Sequence, residues 1–224
     1  MTRLRFQGKG ADAVASGRMA RRQKKARTAR VPAAERRQQL IAEASRILGE
    51  EGLEKLQISA LAERAGVSRP LVYRQFPTRQ ALTRAILEDF TSAIDARFHQ
   101  ALLRTLPAAD LESVTTAFVE ACCDVIEDKG AGPWLLLDAR GSDPEVARVG
   151  RETFSGLLGP WQDQLRTFTG TDARRAANDL WIIVAAGRAA LGGWIDGTLE
   201  RPEAVADATR AVTALLAAFQ NRGR

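Results

Sequence analysis

The chain has 224 residues, 45% hydrophobic and 27% charged, the proportions of a folded globular protein large enough to bury a core. It has no stretch of about 18 uninterrupted apolar residues and no apolar leader before a small-residue cleavage site, which argues against a membrane span or secretion and leaves the cytoplasm as the expected location. The formal net charge of +6 is unevenly placed: residues 1–30 hold ten Lys or Arg against the single acid Asp12, and a basic arm on a mildly acidic body points to a polyanionic partner, nucleic acid above all.

The segment before Val31 and Pro32 is rich in Gly, Ala, Arg and Lys and lacks an apolar period, so it is expected to be disordered until it meets a partner. Met19, the only methionine besides Met1, stands just before its densest basic cluster and offers a second translation start. From Ala33 the pattern is helical, with Leu40, Ile41, Ala44, Ile47 and Leu48 at offsets of three and four, and it ends at Gly52. Ser59 offers an N-cap for a short helix carrying Leu61, Ala62 and Ala65, and Gly66 follows as a turn residue able to take positive φ. Ser68 is placed to cap the next helix, where Pro70 is tolerated in the first turn because the amide it lacks would have no partner there. Pro77 ends that helix, and Thr78 can cap a long fourth one with an apolar face of Leu82, Ala85, Ile86, Phe90, Ala93 and Ile94, running to about Leu106.

Five more helices are expected at about 110–128, 133–140, 144–168, 172–196 and 202–220, and no alternating strand pattern occurs. The expected fold is therefore all-α with about nine helices. A three-helix helix-turn-helix domain (33–79) follows a basic arm (1–32) and precedes a larger helical domain (80–224) for ligand binding and dimerisation.

The strongest local signal is Ile58 to Phe76, ISALAERAGVSRPLVYRQF. Two short helices joined by a Gly-containing turn make a helix-turn-helix, whose second helix can lie in the major groove. Ala62 is small where the helices approach, and Val67, Val72 and Phe76 are apolar where the second helix must dock. Arg69, Pro70, Leu71, Tyr73 and Arg74 are left to face outward. Guanidinium groups can take guanine edges or phosphates, and a tyrosine hydroxyl can donate to a phosphate oxygen. Arg79 adds a cation at the start of the fourth helix, beside amides that attract phosphate. With the capping hydroxyls Ser59, Ser68 and Thr78, these form the candidate DNA-binding set.

From about Arg36 to Leu87 the sequence resembles the TetR family of transcriptional repressors, on the block LAERAGVSRPLVYRQFPTRQAL. Ser68, three residues, Val72-Tyr73, two residues, Phe76 and then Leu82 look like the family's signature. The resemblance implies that Tyr73 contacts phosphate, that Arg69 to Leu71 face bases, and that Arg79 clamps the backbone. Arg79 stands where lysine is usual and Gln80 where an acid is common. It also implies a C-terminal helical domain that dimerises through its last two helices and encloses a ligand pocket. Those two helices have wide apolar faces rich in small residues: Trp181, Ile182, Val184, Ala185, Ala189, Gly192 and Gly193, then Val205, Val212, Leu215, Leu216 and Phe219, a composition that suits close helix packing.

A pocket in such a domain should be apolar with a few orienting polar groups. Phe118, Cys122, Trp134, Leu137, Phe154, Trp161 and Trp181 are the apolar candidates, and Asp138, Arg140, Asn178 and Arg188 the polar ones, which favours an apolar effector such as a lipid, an acyl thioester or an aromatic drug. No metal site or cofactor is expected, because His99 is the only histidine and the adjacent Cys122 and Cys123 lack partners at ligand spacing. The adjacent cysteines cannot readily bridge each other and are read as buried structural residues. No nucleophile–base set, phosphate-cradling Gly loop or paired carboxylates occurs, so an enzyme is not expected. The expected function is that of a homodimeric repressor that releases a palindromic operator in double-stranded DNA when effector binds. The alternative is a ligand-independent architectural DNA binder that works through its basic arm.

Overall fold

A computed structural model describes residues 32–105, 110–136 and 144–222. The chain divides into two compact units, Met1–Gln38 and Gln39–Arg224. The described part of the first is the opening of helix α1 (Ala33–Glu51), where the Arg36 amide donates to the Pro32 carbonyl at 2.9 Å.

In the second unit α1 continues to Gly52, whose φ of +83° is accessible to glycine at no steric cost and turns the chain into a short 3-10 segment, Leu53–Lys55. Helices α2 (Ile58–Arg64), α3 (Arg69–Gln75) and α4 (Arg79–Thr105) follow. Beyond them come α5 (Leu111–Lys129), α6 (Gly132–Leu136), α7 (Pro144–Thr169), α8 (Ala173–Ile195) and α9 (Arg201–Arg222). The described residues are all-α with nine helices, as the sequence periodicity led us to expect, and none of these helices is long and apolar enough to cross a membrane.

Apolar periodicity explains how the layers assemble. Leu40, Ile41, Ala44, Ile47 and Leu48 of α1 close a core with Leu61 and Ala62 of α2, Val72 of α3, Phe76 just beyond it, and Leu82, Ala85, Ile86 and Leu87 of α4. Further along, the same long α4 turns Phe90 and Ile94 into a second core with Val119, Cys122, Cys123 and Ile126 of α5, Trp134 of α6, Leu191 of α8 and Ala204 and Ala208 of α9. One helix thus belongs to both cores.

The short α6 does the same. Its Leu136 enters the first core and its Trp134 the second. It lies so close to α1 that a Cβ built on Gly132 would stand 2.2 Å from the Ser45 carbonyl oxygen and 2.7 Å from the Gly49 nitrogen. Only a residue without a side chain fits this crossing.

Caps and ion pairs fix the remaining register. Asp110 accepts from the Ser113 amide at 2.8 Å and Asp172 from the Arg175 amide at 2.8 Å, each satisfying an otherwise orphaned donor in a first helical turn. The Ser113 amide holds the Asp110 carboxyl below its ordinary pKa. Arg201 bridges Asp124 and Glu127, tying α9 to α5, and Lys129 reaches Asp89 of α4 at 2.6 Å. Such partly solvated pairs contribute little free energy each, so their role is orientation.

Candidate nucleic-acid interface and effector chambers

The turn between α2 and α3 is a Schellman motif. The Val67 amide donates to the Ala62 carbonyl at 3.0 Å and the Gly66 amide to Glu63 at 3.1 Å, with Gly66 at φ +63°. The backbone of the turn therefore sets the chain's path from one helix to the next, and packing of Leu61, Ala62, Val72 and Phe76 in the first core holds them together. Ser59 does not cap α2. The N-cap is Gln57, in extended conformation, whose carbonyl accepts the Leu61 amide at 3.0 Å. Starting the helix at Ile58 puts that residue in phase with Leu61 and Ala62, so it is buried, and Ser59 falls on the exposed side of the first turn.

Ser68 occupies the N-cap position of α3 with φ −74° and ψ 144°, but its hydroxyl makes no capping bond. A capping oxygen takes the N2 or N3 amide. Here N2 is Pro70, which has none, and the N3 amide of Leu71 donates to the Ser68 carbonyl at 3.0 Å. The exposed hydroxyl is left for another acceptor or donor. Val72 and Phe76 are fully buried beneath the helix. Arg69, Pro70 and Arg74 are exposed, and Tyr73 is 51% exposed, unusually open for an aromatic side chain. Leu71 departs from the outward reading. It is half-buried against the first core, because Val67 and Leu71 stand four apart and extend the apolar stripe.

Thr78 caps α4, its Oγ1 accepting from the Ala81 amide at 3.1 Å, and is exposed. Arg79 is half-buried, with Nη2 donating to the Leu53 carbonyl at 2.7 Å, so its guanidinium braces the 3-10 turn beside the end of α3. Arg64 is engaged elsewhere: its Nε meets Glu43 at 2.8 Å and its Nη1 meets Glu50 and Glu51 at 2.8 and 2.6 Å. The hydrogen bonds it donates to Glu50, then Glu51, raise its pKa further. It locks α2 onto α1 and is not among the outward cations.

The second candidate site lies among α4 to α9. An inner chamber of about 140 Å³ and an outer one of about 310 Å³ share a wall of Phe98, Phe118, Leu158, Trp161, Ile183 and Val184. Phe98 and Phe118 meet edge to face at 5.3 Å between centroids, and Trp161 lies 5.1 Å from the first ring and 5.6 Å from the second.

Of the sequence candidates, Phe118, Cys122, Trp134, Trp161 and Arg188 line the inner chamber. Asn178 is exposed, and neither it nor Trp181 is among the described lining residues. The face of α8 turned inward carries Leu180, Ile183, Val184, Gly187, Arg188 and Leu191, spaced three and four apart; position 178 is out of that phase, and position 181 falls at the edge of the stripe beside Arg188. Leu137, Asp138 and Arg140 lie outside the described residues, as does the side chain of Phe154.

The lining also includes Thr91, Ile94, Asp95 and Phe98 of α4, which sequence reasoning missed. Their three-four spacing, continuing the apolar face past Phe90, was the available signal. Cys122 lines the inner chamber too, and burial pushes its thiol well above the ordinary range. Burial likewise pushes the Cys123 thiol up to about 11. Both stay protonated at neutral pH, which suits packing residues and not nucleophiles.

The profile of the family described as "Bacterial regulatory proteins, tetR family" matches residues 40–86. The chain is 30% identical over 148 residues to the HTH-type transcriptional activator FasR of Mycolicibacterium smegmatis, covering 66% of each protein. It is 25% identical over 145 residues to the HTH-type transcriptional regulator EthR of the same organism, spanning 60% of this chain and 59% of that one. The matched region thus spans about two thirds or less of these relatives. Among solved structures, a TetR-family regulator from Rhodococcus sp. superposes with a TM-score of 0.63 at 17% identity, over 82% of this chain and 99% of that one, a likeness of fold.

Proposed function

Because the chain belongs to the TetR family of bacterial regulatory proteins, we propose that it is a homodimeric, sequence-specific DNA-binding transcriptional regulator whose hold on a palindromic operator is set by an apolar small molecule in the two chambers. The surface of α3 carries this reading. Arg69, Pro70, Tyr73 and Arg74 stand exposed on a seven-residue helix whose opposite side, Val72, is fully buried. A rigidly seated helix with outward cations and a phenol is what major-groove readout requires. Residues 33–79 form the DNA-reading part and 80–224 the effector and dimerisation part. Ser59, Ser68, Thr78 and the brace Arg79 complete the DNA face.

Coupling between the parts is supported by the two elements they share, α4 and α6, of which α6 places Trp134 in the chamber wall and Leu136 in the helix-turn-helix core. An occupant that displaces the backbone of α6 at Trp134 shifts Leu136 with it. Dimerisation through α8 and α9 is supported by an exposed small and apolar surface: Ile182, 41% exposed, with Ala185 and Ala189 on α8 and Ala214, Ala217 and Ala218 on α9. Part of the apolar face expected to dimerise is spent within the chain, because Phe219 packs on Leu165, Leu180 and Ile183.

Effector binding releases the operator. FasR is named an activator, and a regulator of this kind raises or lowers transcription according to where its operator lies, so repression is this chain's proposed but not its only available output.

The assignment of roles is tested by fluorescence anisotropy on a panel of operator variants. Arg69→Ala should relax discrimination at one or two base pairs by about 1–3 kcal/mol and leave the others unchanged. Tyr73→Ala should weaken all sequences alike. Uniform weakening by both would remove Arg69 from the reading set.

A further inference from the structure

The two chambers touch different parts of the chain. The wall of the inner one, of about 140 Å³, takes Thr91, Ile94, Asp95 and Phe98 from α4 and Trp134 from α6. These are the two elements that also enter the helix-turn-helix core, through Leu82, Ile86 and Leu87 of α4 and Leu136 of α6. Among its described lining residues, the outer chamber, of about 310 Å³, meets α4 only at Phe98 and takes none from α6. The rest of its wall comes from α5, α7, α8 and α9.

Spacing along α4 sharpens the difference. Thr91 stands one turn beyond Leu87 and its Oγ1 donates to the Leu87 carbonyl at 2.6 Å, so the inner wall and the DNA-reading core are separated by roughly 6 Å of helix. Trp134 meets Phe90 of the same helix edge to face, with 6.4 Å between centroids. An occupant of the inner chamber therefore bears on α4 and α6 together. Phe98 lies roughly 16 Å along α4 from Leu87. Its buried ring is held by Phe118 at 5.3 Å and by Trp161 at 5.1 Å, so an occupant of the outer chamber meets it as one member of a packed trio. A ligand shifts a conformational equilibrium only through contacts that differ between the two states, however tightly it binds.

Resting on the effector reading above, we propose that the chambers have separate roles: occupancy of the inner one releases DNA, and the outer one supplies affinity without response. The effector is a two-part apolar molecule. A slender end no larger than a benzene ring fills the inner chamber, a bulkier body fills the outer one, and the link between them threads the aromatic waist. The volumes set these sizes, since an apolar cavity of about 150 Å³ accepts one benzene. A rigid cage such as adamantane exceeds that and has room only in the outer chamber.

The test uses the purified full-length protein, with binding followed by calorimetry and affinity for the selected operator by fluorescence anisotropy. The probes are benzene, 1-adamantanol, and the adamantyl ether of 4-phenylbutanol, which joins cage and ring through a flexible chain. Benzene at saturation should weaken operator binding by roughly tenfold, an ordinary allosteric coupling. 1-Adamantanol should bind and leave operator affinity within about twofold of the free protein's. The joined compound should release DNA as benzene does and bind on the order of 100-fold tighter than 1-adamantanol. Leu180→Trp, which fills the outer chamber from α8, should weaken 1-adamantanol and leave the response to benzene in place.

Release of DNA by 1-adamantanol to the same extent as by benzene overturns the division of roles and leaves the effector reading standing. Bound benzene that leaves the operator in place while either larger compound releases it does the same. Failure of 1-adamantanol to bind removes the outer chamber as a source of affinity and also overturns the proposal. No response to any of the three, each of them bound, overturns the effector reading itself.

Discussion

Gly132→Ala should lower the melting temperature by roughly 6–12 °C, corresponding to about 3 kcal/mol for overpacking a closed contact in a chain of this size. The added methyl would sit 2.2 Å from the Ser45 carbonyl oxygen, 2.7 Å from the Gly49 nitrogen and 2.9 Å from the Leu48 Cβ. Two of these are backbone atoms of α1, which cannot swing aside as a side-chain tip can. The Ser45 hydroxyl is itself committed to the Ile41 carbonyl at 3.0 Å, so this turn of α1 is tied down.

The helix can accept the methyl only by sliding α6 off α1, which draws Leu136 out of the core and shifts Trp134 in the chamber wall. The variant should therefore also lose part of its DNA response to effector. Gly156→Ala serves as the control of opposite sign. Among the described residues no atom lies within 4 Å of a Cβ built there, the glycine is exposed within α7, and alanine should stabilise by about 1 kcal/mol. Calorimetric melting of the two proteins checks both signs, and an unchanged melting temperature for Gly132→Ala would show that the α1–α6 crossing is not close-packed.

Phe76→Ala should abolish operator binding while leaving the effector chambers assembled. The ring is fully buried in the core formed by α1, α2 and α4, and its amide closes α3 by donating to the Val72 carbonyl at 2.8 Å. Removing it costs about 3–5 kcal/mol, and the cavity lies beneath the helix that must present Arg69 and Tyr73. All four tryptophans, Trp134, Trp161, Trp181 and Trp194, lie outside the helix-turn-helix. Their emission therefore reports chiefly on the helices around the chambers. Expected are a near-native emission maximum, a lower melting temperature, and anisotropy on operator DNA indistinguishable from that on random duplex. A variant retaining operator affinity within about twofold would place the DNA-binding surface somewhere other than α3.

What the sequence made legible was whatever depends on short-range spacing. The Ala62, Gly66, Val72 and Phe76 pattern is a local code for two helices and a turn, and each of those residues sits where the pattern requires. Capping was read less well because a cap is a competition for amides. Ser59 loses its place to Gln57 once Ile58 is drawn into the core, and the Ser68 hydroxyl is left over because Pro70 has no amide to give.

The chambers were only partly legible for a different reason. Trp134, Trp161 and Phe118 were identifiable as large apolar residues, and spacing groups Thr91 and Asp95 on one face of α4 as it groups Ile183 and Leu191 on α8, but which part of each face lines a chamber depends on the relative rotation of packed helices, which no single segment encodes. Gly132 was invisible for the same reason, since its role depends on how closely α1 passes.

The most direct test of the central claim is selection of bound sequences from a random duplex library by the purified protein at physiological salt. In the proposed homodimer, two α3 helices related by the dimer axis predict a palindromic consensus with half-sites about one helical turn apart, roughly 34 Å. The consensus should collapse on Phe76→Ala and loosen at single positions on Arg69→Ala. Recovery of bound DNA with no consensus, with affinity falling steeply in salt and vanishing when residues 1–30 are removed, would contradict it and assign the binding to the basic arm.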